Sequence, residues 1–339
     1  MPNQKQSAIV SLCLFASAAA GSEKSAFHLF NPTPRELLRD VDTDRPDTTE
    51  SPHTVDAGHF QLEFSFADYS YDRRNEAQET TRIWEAAPIN IKIGLLNNTD
   101  IQFLLTPYVR QRTTDRPTDT TTTIDGFGDT TIRLKQNIVG NDEGDFALAI
   151  MPFITLPTAK RALGAGDIEC GIIVPMGFEL PNEFSLGLMG EIDIIRSADR
   201  SRYVVDFVHT ATINRRIAGS LSGFIEYAGF HNFNNDEDYR GSFNCGLIYE
   251  FTPDFRLDAG VRVGLTEAAE DFGVFVGGTY RYSRTTARAG VTPHGLDNRI
   301  KFVYTNFRDP SRSPGGTRWI QTPTRDWTDS NSDSLESKT

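Results

Sequence analysis

The sequence predicts an all-β fold: an antiparallel, up-and-down transmembrane β-barrel of about twelve strands, with an N-terminal leader and a disordered C-terminal tail. Three observations lead to this prediction. Apolar and polar residues alternate along many successive segments, tight turns alternate with longer polar connections, and the chain begins with a segment typical of secretory signals.

Composition narrows the class of protein. The chain of 339 residues has a mean hydropathy of -0.39, and it contains no apolar run of about 18 residues, so a bundle of membrane-spanning helices is excluded. A membrane barrel is compatible with these values, because only every second residue of a barrel strand faces lipid. The formal net charge of -12 argues against a nucleic-acid-binding protein, since no basic face is available to neutralise phosphates.

Residues 1–20 are expected to be a signal peptide. Lys5 precedes an apolar core at residues 8–15, and the small residues that follow offer A-x-A cleavage positions. The alternative is an apolar but unstructured N-terminus. Cleavage would leave Cys170 and Cys245, for which we expect two free thiols rather than a disulfide.

Residues 21–56 form the predicted leader. The motif TPRE at residues 33–36 has the form of a capping box with proline at the first helical position, which predicts one short helix. The segment that follows, residues 43–55, is rich in proline and charge and is unable to form a central strand.

Residues 57–283 are expected to form the barrel. The clearest part is a hairpin in which apolar residues alternate with charged residues and glycines from Phe255 to Leu265, and again over residues 272–282. Similar segments precede this hairpin from Phe60 onward. Because helix-period patterns are missing between them, they predict consecutive antiparallel strands.

The predicted connections differ in length on the two sides of the barrel. Tight turns lie near Asn97, Asn141, Pro181, Gly219 and Pro253, whereas longer polar loops are expected at residues 73–80, 112–125, 158–166 and 231–238. This asymmetry is typical of outer-membrane barrels, whose short turns are periplasmic. An even number of strands then places both chain ends in the periplasm.

Charged side chains share the inward parity of the predicted strands. Burying an isolated charge costs several kcal/mol, so these groups need water or one another, and a wet lumen supplies both. The alternative is a secreted soluble β protein, an open sheet or sandwich whose charged face meets bulk water. The predicted lumen-lining residues are Arg110, Arg133, Glu169, Glu191, Asp193, Asp206, Glu226, Arg256, Asp258 and Arg262.

Two candidate functional features lie among the charged residues. Glu191 and Asp193 could face Asp206 on the next strand, where they would form a cation-attracting constriction or pair with inward arginines. In the leader, Asp44, Arg45 and Asp47 could pair with lumen charges and hold the leader inside the barrel as a plug. A free periplasmic arm is the alternative for the leader.

The sequence shows no motif of an enzyme or of a metal site. The six histidines lack H-E-x-x-H or paired metal spacing, and Gly126 and Gly128 open only half of a dinucleotide fingerprint. A lipid-facing His209 has Phe207 and Ala211 as same-face neighbours and no nucleophile beside it. We therefore expect no catalysis, no cofactor and no metal.

Four stretches resemble those of one bacterial family. They are NPTPRELLRDVDTDRPDTTESPHTVDAGHFQLEFSF at residues 31–66, GFGDTTIRLK at residues 126–135, PFITLPTA at residues 152–159 and TPDFRLDAGVRVGLTEAAEDFGVFVGGTYRY at residues 252–282. Their ordered set resembles the outer-membrane barrels grouped as transporters of the MetA-pathway phenol-degradation family. The chain departs from that family by continuing past residues 280–282, and residues 284–339 are expected to form a mostly disordered periplasmic tail.

The resemblance implies an outer-membrane β-barrel of a Gram-negative bacterium that takes up small compounds, with aromatic or hydrophobic ones as one option. We therefore expect a channel or transporter that passes small solutes passively through a polar lumen. A non-conducting structural or adhesive barrel is the alternative. The expected partners are outer-membrane lipids and lipopolysaccharide, the barrel-assembly machinery and an unidentified small solute, with no nucleic acid.

Overall fold

The computed structural model describes residues 23–73, 75, 78–160, 163–197, 200–234 and 238–283. The predicted signal peptide, residues 1–20, and the predicted tail, residues 284–339, lie outside these ranges. Within the described ranges, no helix is long and apolar enough to cross a bilayer.

Among the described residues, fifteen strand segments form one antiparallel sheet. In chain order they are β1 (Phe60–Asp72), β2 (Glu79–Ala86), β3 (Ile89–Leu96), β4 (Thr99–Leu105), β5 (Tyr108–Asp115), β6 (Thr120–Gly126), β7 (Thr130–Val139), β8 (Phe146–Leu156), β9 (Glu169–Leu180), β10 (Phe184–Arg196), β11 (Tyr203–Ala218), β12 (Leu221–Asn232), β13 (Arg240–Thr252), β14 (Phe255–Gly264) and β15 (Phe272–Tyr282).

The sheet closes on itself because β1 pairs with β15, from Phe60 opposite Tyr282 to Tyr71 opposite Phe272. Three pairs of segments, β2 with β3, β4 with β5 and β6 with β7, each make one broken wall strand, so that β1 pairs with β3 in one half and with β2 in the other. The result is a closed barrel of 12 wall strands, as predicted.

The three breaks lie side by side in neighbouring wall strands. Two of them contain proline, at Pro88 and Pro107, and the third spans residues 127–129. Proline lacks the backbone N–H that a sheet ladder needs, which explains why pairing stops there. Each break also adds a residue, and therefore Leu105 and Tyr108, three positions apart, both point outward.

The outer face of the wall is apolar and exposed. Ile192, Leu247 and Val261 are 47%, 51% and 40% exposed, whereas the inward Lys135 and Glu226 are 0% and 1% exposed. A soluble sheet would show the opposite distribution, with its charged face in water and its apolar face covered. The soluble alternative is therefore wrong, and the molecule is a transmembrane barrel of the outer-membrane type.

The connections give the barrel two different ends. Turns such as residues 97–98, 181–183 and 253–254 lie at the end that also receives the leader, and we take this end as periplasmic. Longer connections, such as residues 157–168, lie at the extracellular end. β1 begins and β15 ends on the periplasmic side of the barrel.

One predicted loop is a strand hairpin. Residues 112–125, expected to be a loop, belong to β5 and β6 and their turn, and β2 occupies residues that the alternation did not assign to a strand. The reason is the repeated threonine in this segment, since β-branched residues favour strands even where no apolar alternation is present. In this extracellular half of the wall, one edge of β6 pairs with β5. The loop after β8 lies along the other edge of β6, where Thr158 Oγ1 donates to Gly128 O at 3.1 Å.

The leader contains little regular structure. Single 3₁₀ turns form at Glu23–Ala26 and Arg35–Leu37. The predicted capping box does not form, because Pro34 occupies the cap position without a side-chain cap hydrogen bond and Thr33 is fully buried. Residues 40–56, here called the leader loop, enter the lumen and carry the candidate plug residues.

Candidate functional site: the leader loop inside the lumen

The leader loop is anchored at its centre by a cluster of buried charges. Asp44 accepts a hydrogen bond from Lys135 Nζ at 2.7 Å and forms an ion pair with Lys92, whose Nζ also lies 2.5 Å from Glu63 Oε1. All four side chains are at most 3% exposed. Although burial opposes ionisation, the two ammonium groups, Lys135 before Lys92, hold the pKa of Asp44 well below its usual range.

This cluster joins the leader to three wall strands. Glu63 lies on β1, Lys92 on β3 and Lys135 on β7. Removing one partner of a buried ion pair typically costs about 3–5 kcal/mol, because the other charge is left without compensation. The cluster is therefore a specific attachment point for the loop.

Arg45 makes a second attachment, to the wall strands β14 and β1. Its guanidinium group donates to both carboxylate oxygens of Asp258 on β14, at 2.8 and 3.3 Å, and to Ser65 Oγ on β1 at 2.6 Å. A two-pronged contact of this kind fixes orientation as well as distance. Asp44 and Arg45, adjacent in the chain, thus attach the loop to wall strands on both sides of β1, from β7 to β14.

Glu226 on β12 receives the backbone of the loop. Its carboxylate accepts from the backbone N–H groups of Thr48 and Thr49, with shortest distances of 2.9 and 2.7 Å, from Thr49 Oγ1 at 2.6 Å and from Asn244 Nδ2 at 2.6 Å. Burial, followed by the nearby Glu226 carboxylate, raises the pKa of Asp47 well above its usual value. The loop therefore places one carboxyl group against another at this point.

Glu50 of the leader loop forms an ion pair with Arg133 on β7, with 2.5 Å between Oε1 and the guanidinium nitrogen. Burial raises the pKa of Glu50 to about 7, despite the attraction of Arg133. The backbone N–H of Glu50 also points at Met189 Sδ, 3.4 Å away on β10. Contacts of the loop with the wall thus run around the whole barrel.

The two ends of the leader loop meet at the periplasmic rim. Arg39 donates its backbone N–H to Asp56 Oδ2 at 3.0 Å and a guanidinium N–H to Thr54 O at 3.0 Å. Val55 N donates to Asp100 Oδ2 at 2.9 Å, and Thr54 N donates to Asn141 Oδ1 at 3.1 Å. The segment therefore enters and leaves the lumen at the same place.

The predicted acidic group lies further toward the extracellular side. Asp193 is directly opposite Asp206 in the β10–β11 register, and Glu191 lies beside Asp193 and near Arg133. Asp206 accepts from Asn232 Nδ2 at 2.7 Å. Glu169 accepts from the backbone N–H of Arg196 at 2.8 Å. These carboxylates line the inner wall beyond the leader loop.

Three of the four predicted arginines lie in the lumen, each in different surroundings. Arg256 lies in the periplasmic half, 3.7 Å from Glu250. Arg262 lies in the extracellular half, where it donates to Asp68 at 2.6 Å and to Glu270 at 2.8 Å. Arg133 is held by the leader loop as described above.

Arg110, predicted to line the lumen, lies on the outer face, so that prediction is wrong. It is opposite Trp84, which is opposite Tyr69 in the outward row that includes Val274. Trp84 is 50% exposed, and Arg110 is exposed as well. The cause is the extra residue at the Thr106–Pro107 break, which reverses the inward and outward positions beyond it.

Several lumen residues were not among the predicted ones. Glu63 has the inward parity of β1, so the alternation contains the signal for it. Glu50 and Asp68 carry no such signal. Glu50 lies in a segment without a strand pattern, and a register shift between Ser65 and Ala67 changes the parity before Asp68.

Two cavities flank the leader loop. The larger, about 680 Å³, lies on its periplasmic side and is lined by Asp47 and Thr49 of the loop and by Arg216, Glu250 and Arg256 of the wall. The smaller, about 300 Å³, lies between Asp44 and Glu50 and the broken strands at Pro88 and Thr106. Polar groups dominate the loop side of both, so the lumen is suited to hydrated or hydrogen-bonding solutes.

The described residues form neither a disulfide nor a metal site. Cys170 and Cys245 are both free thiols, as predicted. Across the part of the chain that is described, no group of three or more His, Cys, Asp or Glu side chains could hold a metal ion.

Comparison with known proteins identifies the fold and the family. The COG4313 outer membrane channel from Pseudomonas putida F1 is similar over 71% of this chain and 100% of its own, with a TM-score of 0.51 and 13% identity. The NanC porin covers 65% of this chain and 98% of its own at a TM-score of 0.42 and 8% identity, and the KdgM porin 66% and 99% at 0.41 and 8%. No curated protein matches the sequence.

A family model described as "Putative MetA-pathway of phenol degradation" matches residues 43–282. The match begins inside the leader loop and ends with the last residue of β15, and it therefore includes both the plug candidates and the wall. This chain belongs to that family of outer-membrane β-barrels.

Proposed function

We propose that this protein is an outer-membrane channel in which the leader loop regulates the passage of small solutes through the polar lumen. The observation that carries the proposal is the way the loop is held. Its attachments are ion pairs and hydrogen bonds, to Lys92, Lys135, Asp258 and Glu226, rather than an interlocked apolar core.

Polar attachments of this kind suit a segment that must leave its place. When the loop leaves, water can hydrate both partners of an ion pair or hydrogen bond, whereas an apolar core loses its full burial on opening. The similarity to an outer membrane channel supports the channel part of the proposal. The cavity of about 680 Å³ beside the loop is also within the usual size range of small-molecule sites.

The lumen and the family description support a proposal for the solute class. Hydrogen-bonding and charged walls favour solutes that carry polar groups, and the family is described by phenol degradation. Phenol is therefore the first solute to test. Block of the ionic current by phenol, compared with cyclohexanol of similar size, would separate aromatic preference from size alone.

The decisive experiment is planar-bilayer conductance of the refolded full chain and of a variant in which a short Gly-Ser linker replaces residues 41–54. The adjacent ends of the loop make this replacement geometrically feasible. We expect the variant to conduct continuously and the full chain to conduct intermittently or weakly. A matched control shortens the β5–β6 turn, residues 116–119, which lies outside the lumen and should leave conductance unchanged.

Absence of ion current from both proteins would remove the channel proposal and favour a non-conducting structural barrel. Equal conductance with and without the loop would retain the channel but remove the regulatory role of the loop.

A further inference from the structure

Three arginines form a compact group on the outer surface of the wall. Beyond the strand breaks, one outward row runs from Tyr71 through Arg82 and Arg112 to Thr123. The next row runs from Tyr69 through Trp84 and Arg110 to Asp125. Directly opposed residues have Cβ atoms about 5 Å apart and diagonal ones about 7–8 Å, so Arg82, Arg110 and Arg112 are mutual neighbours.

These arginines have no hydrogen-bond or ion-pair partner in the described part of the chain. None of the three guanidinium groups forms a hydrogen bond or ion pair there, and Arg82 makes its contact with the face of Tyr71, 5.5 Å from the ring centroid. Arg110 and Arg112 are exposed. Asp125 is the carboxylate in the two rows, which leaves the group with a net charge of about +2.

Like charges directly opposite one another weaken a sheet. Arg82 and Arg112 are such a pair. Inside the lumen, by contrast, the arginines at positions 45, 133 and 262 each have a carboxylate partner. The outer group is therefore arranged for an anion that the described residues do not provide.

The position of the group relative to the membrane indicates which anion. Tyr69, Tyr71, Trp84 and Phe272 form an aromatic cluster on the outer surface, with 4.4 Å between the ring centroids of Tyr69 and Trp84 and 5.6 Å between those of Tyr71 and Phe272. Aromatic girdles of this kind mark the edge of the hydrocarbon layer. The arginines lie beside this cluster, in the half of the barrel that leads to the long extracellular loops.

At that level of an outer membrane the neighbouring molecules are lipopolysaccharides, whose lipid portion carries phosphate groups on its sugar head. We propose that Arg82, Arg110 and Arg112 bind the phosphate groups of an outer-leaflet lipopolysaccharide molecule, whose acyl chains lie against the adjacent aromatic cluster. Guanidinium groups match phosphate oxygens in charge and in two-pronged geometry.

The test uses the purified full chain in detergent and measures the apparent dissociation constant of diphosphorylated lipid A from the rise in thermal unfolding midpoint. Lipid A without phosphates, with the same acyl chains, and inorganic phosphate are the comparison ligands. The variant is R82Q/R110Q/R112Q. The matched control is Arg215→Gln, since Arg215 is also exposed and also contacts an aromatic ring, Phe184, but lies at the periplasmic end of β11.

We expect the wild-type protein to bind the phosphorylated lipid more tightly than the phosphate-free lipid. Each basic residue near an anionic leaflet contributes about 1 kcal/mol, or about fivefold, so the triple variant should bind about 100-fold more weakly. Arg215→Gln should bind as the wild-type protein does. Raising the salt concentration should weaken wild-type binding, because exposed charges are screened.

Wild-type affinity in the triple variant, or equal binding of the phosphate-free lipid, would overturn the proposal. The same midpoint rise with inorganic phosphate alone would assign the group to free phosphate and overturn the lipid assignment. Should the triple variant fail to fold, Arg110→Gln combined with Arg112→Gln retains the Arg82–Tyr71 contact and should bind about 25-fold more weakly.

Discussion

Arg262 illustrates how a single residue contributes to the charge of the extracellular half of the lumen. It joins Asp68 on β1 to Glu270 in the connection before β15, with N···O distances of 2.6 and 2.8 Å. The ring of Phe275 lies 5.6 Å from its guanidinium carbon. One cation thus offsets two carboxylates next to the pore entrance.

Replacing Arg262 with glutamine should make the channel more cation-selective. The change leaves Asp68 and Glu270 without their counter-charge, and two uncompensated carboxylates attract cations into the pore. The measurement is the reversal potential of the current across a KCl gradient, which should move toward the potassium equilibrium potential.

Arg110→Gln is the matched control for this prediction, because it removes the same charge from the same half of the wall but from the outer face. Its reversal potential should equal that of the wild-type protein. A shift of equal size in both variants would contradict the assigned inner and outer faces.

At the residue scale, strand alternation predicts side-chain direction well wherever a strand is continuous. Glu226, Asp258 and Arg262 lie inside, as their parity indicates. Arg110 does not, because the sequence shows Pro107 but not whether the break around it adds one residue or two. A register shift of one residue changes the face of every side chain that follows.

The leader loop is the element on which the proposed function depends. It has no regular secondary structure, and its position results from side chains on at least β1, β3, β7, β12 and β14. Sequence alone could identify it as a charged segment unable to join the sheet. It could not identify the partners, since these are distant in sequence and meet only after the wall has closed.

A disulfide between the loop and the wall should hold the channel closed. Thr49 Oγ1 and Thr210 Oγ1 are 2.7 Å apart, one on the loop and one on β11. The variant combines Thr49→Cys and Thr210→Cys with Cys170→Ser and Cys245→Ser. We expect minimal conductance under oxidising conditions and recovery to the wild-type level after addition of a reductant.

The matched control places the same bond within the wall. Thr131 Oγ1 and Thr155 Oγ1 are 2.8 Å apart on the neighbouring strands β7 and β8. Thr131→Cys with Thr155→Cys should leave conductance unaffected by oxidation. If the loop-to-wall disulfide forms and current is undiminished, solutes do not pass where the loop lies.

At the scale of the whole molecule, the barrel buries charge and exposes apolar surface, and the charge of the leader loop responds to pH. Glu50, with a pKa raised to about 7 by burial, faces Arg133, Asp44, Lys135 and Lys92. On leaving the lumen its pKa would return to the ordinary value near 4.5. The docked loop therefore binds protons more tightly than the released loop.

Two other groups of the loop act in the same direction. The pKa of Asp47 is raised by burial and by Glu226. The pKa of His53 is also raised, because the hydrogen bond to Asp42 outweighs the effect of burial. For groups whose pKa is lowered in the docked loop, such as Asp44, docking becomes more favourable as the pH rises, but only in strongly acidic solution.

Conductance should therefore increase as the pH is raised from about 5 to 8. In this range the docked loop loses protons that stabilise it, and each pKa unit between docked and released states changes their ratio about tenfold. Single-channel recordings across this range provide the measurement. Glu50→Gln, which cannot titrate, should flatten the profile, and a conductance that falls with increasing pH would contradict the argument.

The whole fold was more predictable than its interior. Period-two alternation and alternating turn lengths are repeated in strand after strand, so errors at the Thr-rich hairpin of β5 and β6 did not alter the strand count. The lumen depends on single long-range pairs such as Arg45 with Asp258, which no repeated pattern reports.

The meeting of Arg39 with Thr54 and Asp56 at the rim also bears on biogenesis. Because both ends of the leader loop lie at the same rim, the chain does not have to pass through the barrel from one side to the other. The barrel can close first, when β1 pairs with β15, and the leader loop can then enter the lumen from the periplasm. Closure of the barrel and insertion of the leader loop are thus separable steps.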